Sequence, residues 1–354
     1  MESQSLLVNA ALFVAASAVI WWAGIRLERL ADQLAVQTGL GHAFVGVALL
    51  AAATSLPEVA TTVTAIVILD NPTLAVHNLL GGVALQTGLL ILADLAQRER
   101  GALTFFTPRY SLLLQGVGLV FLLQFAITGV AAKGTPTVWS ISIWSVLLFA
   151  SQLLVMYLTY RHRGHPRWTP SDADDTPDGE LPRDAAPADE KGQEDDQTPA
   201  SRLWLGFAGA SALVLVGGWL ATSTAEVLAE QTGLGPAFLG ATLLAAATSM
   251  PEISTTFTAA RTGRYTLAIS NIFGSNAFDV SLLFWADLLW RQGSVLAHAE
   301  MTVVFVAGQG SAMTCLFLWG LMERENRTVG RLGWDSVAAL ILYLGGVTVL
   351  YFIQ

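Results

Sequence analysis

Residues 37–65 read QTGLGHAFVGVALLAAATSLPEVATTVTA, and residues 231–259 read QTGLGPAFLGATLLAAATSMPEISTTFTA. Of the 29 aligned positions, 21 are identical. Two unrelated greasy helices would share composition but not residue order, so the chain carries an internal repeat. The likeness runs on more weakly: TLAVHNLLGGVALQ at residues 73–86 aligns with TLAISNIFGSNAFD at residues 266–279.

The residues around the repeat are apolar. Hydrophobic residues make up 53% of the chain and charged ones 13%, about half the ~25% of a soluble domain. Stretches of ~20 apolar residues, enough to cross a bilayer, recur throughout. Ten spans are expected, at 5–27, 42–69, 73–95, 109–131, 138–160, 203–224, 236–260, 266–289, 300–322 and 333–353. With ten spans the loops alternate between two sides. One set holds Arg26, Arg29, Arg98, Arg100, Arg109, Arg161, Arg163, Arg167, Arg261, Arg264, Arg324, Arg327 and Arg331; the other holds Lys133 and Arg291. The positive-inside rule makes the Arg-rich set cytoplasmic, which puts both termini outside. The expected localisation is therefore a cell membrane, crossed many times.

This arithmetic gives the repeat its meaning. Each half, 1–160 and 203–354, has five spans, so the second enters the membrane upside down relative to the first. The fold class is thus an all-α membrane protein of ten helices in two inverted five-helix repeats. Secondary transporters use that arrangement to expose a mid-membrane site to alternate faces. Between the halves, residues 161–202 form a linker. From Ser171 to Gln197 it has no aromatic residue and eleven acids against Arg183 and Lys191, an excess equal to the whole net charge of −9. Such a segment cannot bury enough apolar surface to offset its chain entropy and is expected to be a disordered cytoplasmic tether. Cys315, the one cysteine, excludes an intrachain disulfide and is expected to pack inside span nine.

Each repeat places Thr-Ser-x-Pro-Glu in an apolar helix: Thr54, Ser55, Pro57 and Glu58, then Thr248, Ser249, Pro251 and Glu252. Proline cannot donate to the carbonyl four residues earlier and clashes with it, so a kink is expected near Ala53 and Ala247. The hydroxyls lie three and four residues before the Glu and share its helix face. One turn thus offers carbonyl, hydroxyl and carboxylate oxygens, a set suited to hard cations rather than soft metals. A carboxylate at the bilayer centre costs at least ~2.5–3.5 kcal/mol, so Glu58, Glu252 and Asp279 read as functional. Gln86 occupies the position matching Asp279, and Asn78 and Asn271 offer amides to ions or to helix–helix bonds.

These motifs resemble those of the sodium/calcium exchanger family within the cation/calcium antiporters, whose repeats each carry a G-T-S-x-P-E-like segment followed by G-N-x-x-G-S-N-x-x-D/N. The resemblance implies four central ion-coordinating positions, Glu58, Gln86, Glu252 and Asp279. It adds hydroxyls from Thr54, Ser55, Thr248, Ser249 and Ser275 and carbonyls from Ala51 and Ala245. It implies an antiporter and no enzyme, with calcium and sodium as transported substrates, the lipid bilayer as surroundings, and no cofactor or nucleic acid. This chain departs from the pattern. Gly82-Val83 replaces Ser-Asn, Gln86 is one methylene longer than Asn, Ala53 and Ala247 replace Gly, and His77 and Ser270 replace Gly before Asn. The first-half site is partly rebuilt, which leaves proton-coupled calcium exchange as the alternative, with His77 its titratable candidate. A receptor or scaffold using the acidic loop is the third possibility. The tether assignment has a direct check: replacing 171–197 with a Gly/Ser chain should preserve cation flux in proteoliposomes, and loss of calcium activation would make the acidic run regulatory.

Overall fold

A helix that is apolar on every face is stable only when other helices or lipid surround it. The computed structural model describes residues 5–37, 54–97, 101–107, 109–132, 137–138, 141–162 and 199–353. The acidic tether and the first half of span two, including Gly46 and Ala51, lie outside the described residues. The first half runs α1 (Leu6–Gln37), α2 (Leu56–Val63) with a π-helical turn at Thr64–Ile68, α3 (Pro72–Ala96), α4 (Tyr110–Ala131), β1 (Thr137–Val138), β2 (Ile141–Ser142) and α5 (Ile143–Arg161). The second runs α6 (Ala200–Thr232), α7 (Pro236–Leu239), a π-helical turn at Gly240–Leu244, α8 (Ala245–Thr248), α9 (Met250–Arg261) and α10 (Tyr265–Leu289). It ends with α11 (Val295–His298), α12 (Thr302–Glu323), β3 (Thr328–Val329), β4 (Leu332–Gly333) and α13 (Trp334–Ile353). The protein is all-helical apart from the two antiparallel hairpins, β1–β2 and β3–β4.

Among the described residues, eight helices are long and apolar enough to cross a membrane: α1, α3, α4, α5, α6, α10, α12 and α13. The helices α3, α10 and α12 are mostly buried, whereas α1, α5, α6 and α13 turn most of their surface outward. That outer surface is apolar, with Phe121, Leu154, Leu205 and Ile341 all exposed. Water would not tolerate so extensive a greasy exterior, and lipid does.

Two expected spans are longer in the structure and one is broken. The helices α1 and α6 have 32 and 33 residues, about 48 Å at 1.5 Å per residue, beyond the ~30 Å hydrocarbon core. They outrun the expected 5–27 and 203–224 because helical bonding does not stop where hydropathy falls. Arg26 and Arg29 face outward while Leu27 and Leu34 stay buried on the same helix. The span 236–260, expected to kink near Ala247, falls into α7, a π turn, α8 and α9. The break comes at Ser249 (φ −81°, ψ 8°), two residues before Pro251. Ser55 has nearly the same backbone (φ −90°, ψ 8°), two residues before Pro57. The proline effect expected from both motifs is therefore present in each, displaced two residues from Ala53 and Ala247.

The long helices α1 and α6 form the most extensive helix pair and cross the motif helices of the opposite half. Gly24 on α1 lies against Pro251, and Gly218 on α6 lies against Ala60. A Cβ at either glycine would overlap its neighbour. Glycine is what permits these close crossings.

Two buried aspartates tie the halves together in a reciprocal way. Asp94 on α3 accepts from Leu103 N at 2.8 Å in its own half and from Gly333 N at 2.6 Å in the other. Asp287 on α10 accepts from Val295 N at 2.6 Å in its own half and from Ser142 N at 2.9 Å in the other. Asp287 also takes the hydroxyls of Ser145 at 2.7 Å and Ser294 at 3.1 Å. Each carboxylate thus holds the hairpin that leads into the last helix of the opposite half. Removing one strands several buried donors, each costing about 1–3 kcal/mol. Asp287→Ala should therefore lower the thermal midpoint in detergent clearly, and Asp287→Asn should do so less, since its amide oxygen still accepts. Equal midpoints for wild type and Asp287→Ala would disprove this bracing.

Candidate functional site

The broken helices bring the polar residues of both repeats to one place. Glu58 enters the first turn of α2 and Glu252 the first turn of α9, each directly after its proline. Glu58, Gln86, Glu252, Asp279, Thr54, Ser55, Thr248, Ser249 and Ser275 are all buried. Glu58 is close enough to Glu252 and Asp279 to feel their charges, and the Thr248 side chain stands beside it. Both oxygens of Glu58, Oδ1 of Asp279 and the Ser55 hydroxyl are buried without a hydrogen-bond partner among the described residues. A carboxylate so placed can be satisfied by a proton or a bound cation.

Gln86 is the direct link between the halves. Its Nε2 donates to Ser249 Oγ at 3.0 Å and to Asp279 Oδ2 at 3.1 Å. Its Oε1 accepts from Ser275 Oγ at 3.1 Å. Asn276, next to Ser275, reaches back to α3 and donates to Thr87 Oγ1 at 3.1 Å. Gln86 with Ser249, Asp279 and Ser275 thus forms one network across α3, α10 and the break before α9, and Asn276 with Thr87 adds a separate tie between α10 and α3.

Other expected residues have different places. The Ala245 carbonyl accepts from Ser249 N at 3.0 Å and Thr248 Oγ1 at 3.1 Å, so it is held by its own helix turn. Ala51 is outside the described residues. Asn78 donates to Thr61 Oγ1 at 3.0 Å and Asn271 to Thr256 Oγ1 at 3.2 Å. Of their two possible roles, tying adjacent helices is the one the contacts display. His77 is fully buried but tied elsewhere: Nδ1 meets Thr73 O at 2.8 Å and Nε2 meets Thr302 Oγ1 at 2.8 Å. A carbonyl only accepts, so Nδ1 carries a proton, while the Thr302 hydroxyl can donate to Nε2 or accept from it. The imidazole ties α3 to α12. Cys315 is exposed on the outer surface, not packed inside as expected, and lines a shallow apolar groove with Val117 and Phe121.

Among the described residues, no three acidic, histidine or cysteine side chains converge as a ready-made metal cage. Any cation held here therefore needs neutral oxygens as well as carboxylates. Sequence reasoning overlooked Asp94, Asp287 and Asp335, all buried. The signal was available for two of them: Asp94 and Asp287 stand in the same register as Gln86 and Asp279, eight residues further on. Asp335, which accepts from Thr104 Oγ1 at 2.7 Å, has Trp144 at the corresponding place of the first half and so no repeat to betray it.

An all-helical bundle with an apolar exterior, broken motif helices and a buried oxygen-rich centre is a multi-pass membrane protein built to handle cations. The sequence pattern of the family described as sodium/calcium exchanger protein matches residues 8–161 and 202–352, and the chain belongs to that family. Its members are transporters rather than enzymes. Among curated relatives, the inner membrane protein YrbG of Escherichia coli (strain K12) is 25% identical over 350 residues, covering 97% of this chain and 100% of that protein. The sodium/calcium exchanger MaX1 of Methanosarcina acetivorans is 28% identical over 142 residues, 40% of this chain and 39% of that protein. Two solved folds are similar. The sodium-calcium exchanger NCX_Mj matches with a TM-score of 0.56 at 17% identity, covering 97% of this chain and 99% of that one. The H+/Ca2+ exchanger CAX matches with a TM-score of 0.64 at 11% identity, covering 98% of this chain and 85% of that one.

The glycines of α3 yield a paired test. A Cβ at Gly82 would meet only the Ala245 side chain, at 3.9 Å, whereas one at Gly81 would overlap the Ala241 backbone. Gly82→Ser should therefore fold as the wild type does, whereas Gly81→Ala should lower the yield of monodisperse protein. Size exclusion of the two variants measures both effects, and a well-folded Gly81→Ala with wild-type stability would count against this packing.

Proposed function

We propose that the protein exchanges calcium for sodium across a cell membrane by alternating access. In this reading the chain is two inverted five-helix repeats, 1–160 and 203–354, joined by the cytoplasmic tether 161–202, with both termini outside. The broken stretches, Leu56–Ile68 and Pro236–Thr248 with α9, complete the count of ten crossings. The helices α2, α3, α9 and α10 surround the ions. Irregular backbone at that depth is tolerated because it lines a polar site rather than lipid.

The observation that carries the proposal is the buried network in which Gln86 of one half joins Ser249, Asp279 and Ser275 of the other, with Glu58 buried close enough to feel the charges of Glu252 and Asp279. Calcium takes six to eight oxygens at ~2.3–2.6 Å and favours several carboxylates. Glu58 and Glu252 are assigned as its two bridging acids. Asp279, Gln86, Thr54, Ser55, Thr248, Ser249, Ser275 and the carbonyl of Ala51 complete the oxygen set, whereas the Ala245 carbonyl, expected to join it, is taken by Ser249 N and Thr248 Oγ1. Sodium has half the charge, so it gains less from each carboxylate and relies more on hydroxyl and carbonyl oxygens. The two ions therefore compete for overlapping positions, and the site opens to one face at a time.

Sodium is preferred to the proton as driving ion because His77, the titratable candidate for proton coupling, is committed to other partners. His77 bonds to Thr73 and Thr302, and neither of its nitrogens faces the carboxylates. Glu58→Gln and Glu252→Gln should each abolish calcium exchange in proteoliposomes while the purified protein stays folded. Substantial calcium uptake in either variant removes these acids from the site. Uptake by the wild type under an imposed proton gradient, with no competition from sodium, makes it a proton-coupled exchanger instead.

A further inference from the structure

We infer that the Gln86 carboxamide is a built-in, uncharged substitute for one monovalent cation, so that this exchanger carries one sodium ion fewer than the same oxygen set would hold without it. The inference rests on the exchange reading above and specifies the stoichiometry of that same site.

The geometry is that of a donor placed among cation ligands. Nε2 of Gln86 lies 3.0 Å from Ser249 Oγ and 3.1 Å from Asp279 Oδ2. The orientation of the amide follows from its partners. Asp279 Oδ2 accepts, so the NH2 end must face it, and the oxygen end is then left to accept from Ser275 Oγ at 3.1 Å. One nitrogen therefore presents partial positive charge to a carboxylate and a hydroxyl, both among the proposed ion ligands. A sodium ion would face the same two oxygens from the same side. Both cannot be there, because the amide nitrogen already stands at contact distance from each.

Side-chain length makes this possible. Gln86 projects from α3 of the first half and reaches Ser249 and Asp279 of the second. Asparagine at this position is one methylene shorter and would not span the same distance from the same backbone. The neighbouring residues agree: Gly82 and Val83 bring no polar side chain where the second repeat has Ser275 and Asn276. Asn276 points the other way, onto Thr87 Oγ1 at 3.1 Å, so it does not duplicate the link. The amide is held by three bonds to the opposite half, and exchanging its NH2 for an oxygen would turn a donor into a further acceptor facing Asp279.

The test counts bound ions on the purified, detergent-solubilised full chain by equilibrium dialysis with radioactive sodium and calcium. Three proteins are compared at one pH: wild type, Gln86→Glu and Gln86→Ala. Gln86→Glu keeps the shape and replaces the donor by an acceptor, while Gln86→Ala removes the amide without adding charge. Both should bind one more sodium ion per protein than the wild type, and saturating calcium should displace it. If one variant is not monodisperse on size exclusion, the other decides. An unchanged sodium count in the folded variants overturns the inference and leaves Gln86 a helix tie. A wild type that binds no sodium beside a Gln86→Glu variant that binds one would sustain the amide's role and overturn sodium coupling instead.

Discussion

A carboxylate in the hydrocarbon core must be satisfied from within the protein or by what the protein carries, because water is not there to do it. The buried acids of this chain divide on that constraint. Asp94 and Asp287 each collect backbone N–H groups from two segments. They are anchors, and their charge is spread over donors that do not move. Among the described residues, neither oxygen of Glu58 has a hydrogen-bond partner. Glu58 lies instead within the electrostatic reach of Glu252 and Asp279. The same residue chemistry is thus fully bonded in one place and left without such donors in another, and the partners decide which.

The two prolines stand at the origin of this difference. Pro57 and Pro251 each follow a residue in a bent, non-helical conformation, Ser55 and Ser249. The helix restarts with the glutamate in its first turn, where the partial positive charge of the N-terminus favours an anion. A continuous helix would have put the same glutamate in mid-helix, without that help. The break also frees Ser249 to face across the bundle, where it meets Gln86. Local backbone disruption in the motif is therefore what lets the halves share one polar centre.

The anchors and the centre lie on the same two helices, α3 and α10. Gln86 and Asp94 are two turns apart on one, and Asp279 and Asp287 two turns apart on the other. Each helix joins the centre through its middle and the opposite half's hairpin through its end. The glycine crossings at Gly24 and Gly218 keep the long helices α1 and α6 in close contact with the motif helices.

Much of this was legible before any coordinates. The helical class followed from apolar run length, the two halves from the repeated 29-residue segment, and the candidate acids from their cost in a membrane. These are local or self-similar properties, written in composition and order. Helix ends were misread at Gln37 and Thr232, since hydropathy reports lipid contact and not backbone bonding. Asp94 and Asp287 were passed over because they lie near helix ends, where a charge costs little and signals little. What only the tertiary structure decided is partnership. No spacing along the chain foretells that Gln86 crosses to Ser249 and Asp279, or that His77 is spent on Thr302. Each of those contacts joins residues more than 150 positions apart, and a hydrogen bond depends on distance and angle in space, which only the packed helices supply.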